Sequence, residues 1–269
     1  MKKVFTFIVL ALSVVSCSKE SNPETNTYVE TSVKKNTNSF TDGYYGQMHN
    51  DILDIYYANY DYSNDDIELM ENAVEEYLTT YSSSVSLTDL KQSNPSLYNY
   101  SQKLYNTKGN VEKIKLLFQE IHNDGLSTKD AFDYSIQLIQ IFEDYEGDIT
   151  AFNVNLNLFK EKIVKDKSLE INLKEDLLRA VEIAEYSHMY WYEILNINSL
   201  NEQNDSTYST MNKRKRIAVI AGGDVAGALT GIQSGLVNYA SLVFGPWGGA
   251  AALAGTAAVG SLNAAGILR

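Results

Sequence analysis

The histidines and their acidic neighbours are the side chains in this sequence best suited to chemistry. His49 lies close to Asp51 and Asp54, and together these three could be metal ligands. His188 forms a Glu-x-x-His pattern with Glu185, which di-metal helical bundles use twice, together with further glutamates. This chain has only one such pair, and no other converging ligands can be recognised by their spacing. We therefore expect a structural, partly buried histidine at position 49 and no metal site.

Sequence motifs for catalysis are absent as well. The chain has no Gly-x-Ser-x-Gly, no His-Glu-x-x-His and no phosphate-binding loop. A second His-Asn-Asp run, at His122, lies at the end of a predicted helix and does not indicate an internal repeat. The glycines at 222–227 do not follow a strand, so a dinucleotide site is not predicted there either. We expect a protein that is not an enzyme and that needs no cofactor.

The N-terminus has the pattern of an export signal that ends in a cysteine. Lys2 and Lys3 precede an apolar run at 4–15, which is short for a membrane span, and the run ends in Val-Val-Ser-Cys at Cys17. This end resembles the lipobox of bacterial lipoproteins. The resemblance implies that residues 1–16 are removed and that Cys17 carries acyl chains such as palmitate. Because Ser18 is not aspartate, the resemblance to Gram-negative lipoproteins implies the outer membrane, on its periplasmic side or its surface. The alternative is an ordinary signal peptide or membrane anchor with an incidental cysteine.

Polarity and charge divide the remaining chain into three segments of different composition. Residues 17–40 are polar and predict a disordered tether. The formal net charge of the whole chain is −12, and it becomes −14 once Lys2 and Lys3 are removed with the signal. The segment 213–269 has five basic residues and one acidic residue, so the part between carries −18. An acidic body argues against nucleic acid as a partner.

The pattern of apolar residues predicts an all-α protein. Apolar side chains recur every three or four residues from Tyr44 onward, and no alternating strand pattern is present. Residues 41–200 are therefore predicted to be an acidic helical bundle of five to seven helices, followed by a polar linker at 201–212. Thr128 and Asp148 are expected near helix starts, Gly125 at a helix end, and Pro95 as the interruption of a short helix.

Clustered tyrosines at 44–62 and 186–192 allow two interpretations. Exposed rings on a surface lipoprotein could stack on sugars. Their helical spacing instead favours rings packed in the core with the hydroxyl at its edge.

The C-terminal segment, 213–269, is the most informative part of the sequence. It begins with the basic cluster Lys213, Arg214, Lys215 and Arg216, and between Asp224 and Arg269 it contains no charge. Four glycines recur every fourth residue and predict one helix face that allows close helix packing: Gly223, Gly227, Gly231 and Gly235. A break at 245–249 predicts a helical hairpin with Trp247 at its tip and a second helix at 250–267.

This segment resembles the glycine-zipper tails of some outer-membrane lipoproteins and of bacteriocin-like toxins. The resemblance implies a Gly/Ala-rich hairpin that enters a membrane or assembles with other copies, flanked by the basic cluster on the side of entry. Asp224 and several polar residues make the first arm only weakly apolar. The alternative is therefore a hairpin docked on the helical bundle, or a flexible tail.

Two functions are consistent with these features. The first is a lipid-anchored cell-envelope protein whose tail associates with membrane or with itself, and which could permeabilise a target membrane. The second is a surface lipoprotein whose helical body binds a glycan or a protein, with a tail that does not insert.

Overall fold

The structure, a computed structural model, describes residues 43–60, 66–81, 85–201 and 210–265. These residues form ten helices and no strand, which confirms the all-α prediction. The predicted signal peptide (1–16), Cys17 and the tether (17–40) lie outside the described residues. The helices are α1 (Tyr44–Asn59), α2 (Ile67–Tyr81), α3 (Leu87–Ser93), α4 (Pro95–Tyr105), α5 (Val111–Asn123), α6 (Lys129–Glu143), α7 (Ile149–Lys165), α8 (Ile171–Asn201), α9 (Thr210–Gln233) and α10 (Leu236–Ala265).

Local capping explains where several of these helices begin and end. Thr128 accepts a hydrogen bond from the backbone N–H of Ala131 at the start of α6, and the Asp148 side chain does the same for the first turn of α7. Gly125 adopts φ +75° after α5, where its N–H donates to the carbonyl of His122. The predicted positions of these three signals are confirmed.

Pro95 begins a helix instead of interrupting one. It is the first residue of α4, and the Asn94 side chain caps that helix by accepting from the N–H of Leu97. A proline is tolerated there because the first-turn N–H groups have no partner within a helix. The short helix α3 ends just before it, at Ser93.

The pair α9 and α10 forms the centre of the molecule. These two helices pack most extensively on each other; α8 and α6 also pack on α9, and α1, α2 and α4 on α10. Every residue at 220–234 and at 248–262 is buried. The amphipathic helices of the body thus form a shell around an apolar centre, and α7 packs on the outside of α6 and α8.

The sequence-based division into a domain at 41–200 and a separate hairpin at 213–269 is therefore wrong. Phe40–Arg269 forms one compact unit. The linker predicted at 201–212 is helical at both ends, since α8 continues to Asn201 and α9 begins at Thr210; residues 202–209 lie outside the described ones. The body helices provide an apolar surface that buries the segment, which composition alone does not reveal.

The reversal of the hairpin also differs from the predicted tip at Trp247. The helix α9 ends at Gln233, Gly235 adopts φ +78°, and residues 236–244 form a short helical piece of α10. At Gly245 the backbone leaves the helical region, with φ +73° and ψ −170°, and Pro246 starts the long second piece. The predicted break at 245–249 is real, but the chain first turns at Gly235.

Candidate functional site

Glycines bring the backbones of α9 and α10 into direct contact. A Cβ atom at Gly223 would lie 2.6 Å from the carbonyl oxygen of Gly260, and one at Gly227 would overlap the carbonyl of Thr256. A Cβ at Gly231 would lie 2.6 Å from the Thr256 hydroxyl. Residue numbers rise along α9 as they fall along α10, so the two helices are antiparallel. Three of the four predicted packing glycines therefore form a helix–helix interface within one chain.

Gly235 does not belong to this interface. A Cβ there would have no neighbour within 4 Å, and its positive φ shows that it ends α9. Glycine is also the preferred residue where a helix ends in a left-handed conformation. For this reason Gly235 follows the four-residue spacing of the packing glycines in the sequence although it has a different role. The assignment of Gly235 to helix packing is thus wrong, and its role is the turn.

A single buried carboxylate lies in the middle of this apolar pair. Asp224 of α9 is fully buried and accepts a hydrogen bond from the indole Nε1–H of Trp191 at 2.9 Å. It also accepts hydrogen bonds from the hydroxyls of Ser187 and Ser261. The Nε2 atom of His49 lies 3.6 Å from its Oδ2 atom, beyond hydrogen-bond distance but close enough for electrostatic attraction when the ring is protonated. We call these five residues the Asp224 cluster.

The Asp224 cluster joins four helices. His49 comes from α1, Ser187 and Trp191 from α8, and Ser261 from α10. A buried carboxylate is strongly destabilising unless donors surround it, and here three donors do. The cluster therefore fixes how the apolar pair sits inside the shell.

This arrangement of serine, histidine and aspartate does not form a nucleophilic triad. Ser187 donates to Asp224 and not to His49, whereas a triad needs the serine on the imidazole. Ser187, His49 and Asp224 each have no solvent exposure. None of them is among the residues that line three cavities in the described part of the chain.

The side chains of the Glu-x-x-His pair, Glu185 and His188, lie in different environments. Glu185 forms an ion pair with Lys160 at 3.2 Å. The His188 ring is buried and stacks on Phe152 with centroids 4.4 Å apart. Because water is excluded there, burial lowers the pKa of His188 from 6.5 to about 4. The residue is a neutral core histidine at neutral pH.

The acidic neighbours of His49 are likewise bound elsewhere. Asp51 accepts a hydrogen bond from the Gln47 amide at 2.7 Å, and Asp54 accepts one from the Tyr190 hydroxyl at 3.0 Å. Burial raises the pKa of both carboxyl groups. His49 itself is completely buried, whereas partial burial was expected. Within the described ranges no three His, Cys, Asp or Glu side chains are grouped as a metal site.

The basic cluster and the tyrosines have simpler placements. Lys213, Arg214, Lys215 and Arg216 lie in the first turns of α9, and Arg216 is partly exposed. Tyr45 and Tyr56 are core residues, which agrees with the packing interpretation of their helical spacing, whereas Tyr192 of the second cluster is 39% exposed.

One part of the apolar pair is exposed to solvent. Where the short piece of α10 ends, Leu242 is 87% exposed and Val243 is 53% exposed. The neighbouring Phe244 and Trp247 are only partly buried, and Trp247 packs edge-on against Tyr44. We call residues 241–247 the apolar tip. By length and composition, one described helical segment, Leu236–Leu262 of α10, is apolar enough to cross a membrane.

The sequence predicts a hairpin tip at Trp247, but it reveals neither the Asp224 cluster nor the exposure of Leu242 and Val243. In the sequence Asp224 is a polar interruption of the first arm, and a single acidic residue in a long uncharged segment is a signal in itself. Comparison with known proteins adds no assignment: no protein family, no curated protein and no solved structure matches this chain.

Proposed function

We propose that this chain is a lipid-anchored cell-envelope protein that stores a membrane-associating helical hairpin in its own core. Cys17 holds it at the membrane, which is the outer membrane of a Gram-negative cell. The shell of acidic helices keeps α9 and α10 away from lipid until the hairpin is released. Released hairpins associate with the bilayer or with each other, and this permeabilises the membrane.

The dimensions of the hairpin support this proposal. Residues 246–265 form a helical piece of about 30 Å at 1.5 Å per residue, the thickness of the hydrocarbon core of a bilayer. No charged residue occurs between Asp224 and Arg269. Glycine faces such as that of Gly223 and Gly227 are suited to association in lipid, because packing supplies the attraction there.

The exposed apolar tip is the observation that carries the proposal. Core helices of water-soluble proteins can be as apolar as α10, so its composition alone is not decisive. A core helix, however, gains nothing from displaying Leu242 and Val243 to water, five and four residues before Trp247 in the sequence. Tryptophan and exposed aliphatic residues are suited to the interface of a bilayer.

Leu242→Asp is expected to weaken lipid binding about tenfold or more, because a leucine burial is lost and a charge must enter the interface. Residues 18–269, produced without the lipid anchor, are mixed with dye-loaded phosphatidylcholine vesicles, and flotation and dye release are measured. Leu116→Asp is the matched control, since Leu116 is 67% exposed on α5 and lies outside the tip. Equal binding by the two variants would contradict the role of the tip.

The lipid anchor is tested separately at Cys17. Cys17→Ala is expected to abolish incorporation of a palmitate analogue and to move the protein from the membrane fraction to the soluble fraction. Retention of the label in the variant would refute the anchor. Cys17 is the only cysteine in the sequence, so no other thiol can accept the acyl group.

A second candidate function is a surface binding module with a permanently docked hairpin. A cleft of about 390 Å³ lies beside the tip and is lined by apolar and polar groups, including Asn172, Asp176, Arg179 and Leu242. Such a mixed lining suits a glycan or a peptide. If both the wild-type protein and an Asp224→Asn variant neither float with vesicles nor release dye, this second function is favoured.

A further inference from the structure

We infer that the Asp224 cluster is a latch that holds the apolar pair inside the shell and opposes its entry into lipid. The inference rests on the proposed function, because it concerns the release of the same hairpin. It adds a specific residue that decides between the docked and the inserted state.

The partners of Asp224 are divided unequally between shell and hairpin. Trp191 and Ser187 donate from α8, and the imidazole of His49 approaches from α1. Only Ser261 belongs to the apolar pair itself. When the hairpin leaves the shell, Asp224 therefore loses two of its three donors and the neighbouring ring.

Charged groups on the surrounding helices do not replace these partners, since they are bound elsewhere. Glu182 accepts hydrogen bonds from the backbone N–H groups of Tyr45 and Gly46 at the start of α1. Several other charged side chains of the helices form ion pairs with one another: Lys91 with Glu71, Lys103 with Glu120, Lys115 with Glu143, and Lys160 with Glu185. Among the described side chains, Asp224 is thus held by the donors of the cluster and forms no ion pair with a lysine or an arginine.

The same carboxylate is unfavourable in hydrocarbon. An aspartate at the centre of a membrane helix lowers the insertion equilibrium roughly a hundredfold. Asp224 therefore favours the docked state twice, through its donors in the shell and through its cost in lipid. The other side chains of α9 at 217–233 carry no charge, so no other residue of this segment has that effect.

Asp224→Asn tests the latch, because it removes the charge and keeps the shape of the side chain. The variant is expected to remain helical in water and to bind phosphatidylcholine vesicles at least about tenfold more tightly than wild type. In a Trp247→Phe background Trp191 is the only tryptophan, and its quenching by acrylamide should rise when vesicles are added. That rise reports that the shell has opened at the cluster.

A control separates the latch from simple loss of stability. Leu156→Ala makes a cavity under α7, which packs on α6 and α8. The two variants are compared under conditions in which urea unfolding shows the same loss of stability for both. The latch requires that Asp224→Asn then binds vesicles more tightly than Leu156→Ala, and equal binding would overturn it. Equal binding by wild type and Asp224→Asn would overturn the latch and leave the proposed function in place. If neither protein binds vesicles, both ideas are refuted.

Discussion

Gly227→Ala is expected to destabilise the protein by about 3 kcal/mol or more, although alanine is the better helix former. The added Cβ would overlap the backbone carbonyl of Thr256 and would lie 2.8 Å from the Cα atom of Ala257. These are backbone atoms, so no rotamer change can relieve the contact. The two helices must separate, and this opens the buried interface between α9 and α10. A loss of this size is a large fraction of the stability of a typical domain, about 5–15 kcal/mol.

Gly255→Ala is the matched control for this effect. Gly255 also lies within the apolar pair, but a Cβ there would meet the Val74 side chain at 3.4 Å and 3.8 Å, which is ordinary contact. Alanine at this position should be neutral or stabilise the helix by up to about 1 kcal/mol. Urea unfolding followed by circular dichroism measures both variants. Similar unfolding free energies for the two would contradict the close packing of α9 on α10.

Features encoded locally could be predicted from the sequence. Thr128, Gly125 and Asp148 determine helix ends through contacts with residues two to four positions away, and a short window of sequence contains all the information needed. The all-α class follows from the same kind of local periodicity. The glycine spacing likewise predicted a close helix–helix face at Gly223 and Gly227.

The partner of that glycine face could not be predicted. A small-residue face packs equally well on another chain in lipid or on the second arm of the same hairpin, and the choice depends on whether other helices can bury the pair. The surface that covers α10 comes from residues far away in the sequence, such as Val74 beside Gly255. The two possible turns, at Gly235 and at Gly245, also look alike locally; both adopt positive φ in the fold.

The Asp224 cluster shows the same limitation for polar residues. Ser187 lies 37 positions before Asp224, and Ser261 lies 37 positions after it. Neither serine has a local pattern that marks it as a donor to a buried carboxylate. Only the packing of α8 and α10 on α9 brings them together, so the sequence reveals the acidic residue and not its partners.

His188 is expected to make the fold less stable as the pH falls from about 6.5 to about 4. Its pKa is about 4 in the folded protein and near 6.5 in an unfolded chain, so in this range the unfolded chain binds the proton and the folded protein does not. The contribution of the neutral ring is complete above pH 6.5, and about 3 kcal/mol of it is lost by pH 4. The physical cause is burial against Phe152 and Tyr145, where an imidazolium would be poorly solvated.

His188→Phe removes this titration and keeps an aromatic ring in the stack on Phe152. Urea unfolding of both proteins at pH 7 and pH 4.5 gives the test, and the variant should lose less stability than wild type over this interval. Buried carboxyl groups such as Glu182 and Asp176, whose pKa is raised, act in the opposite direction, but they occur in both proteins and cancel in the difference. Equal losses would contradict a buried neutral ring.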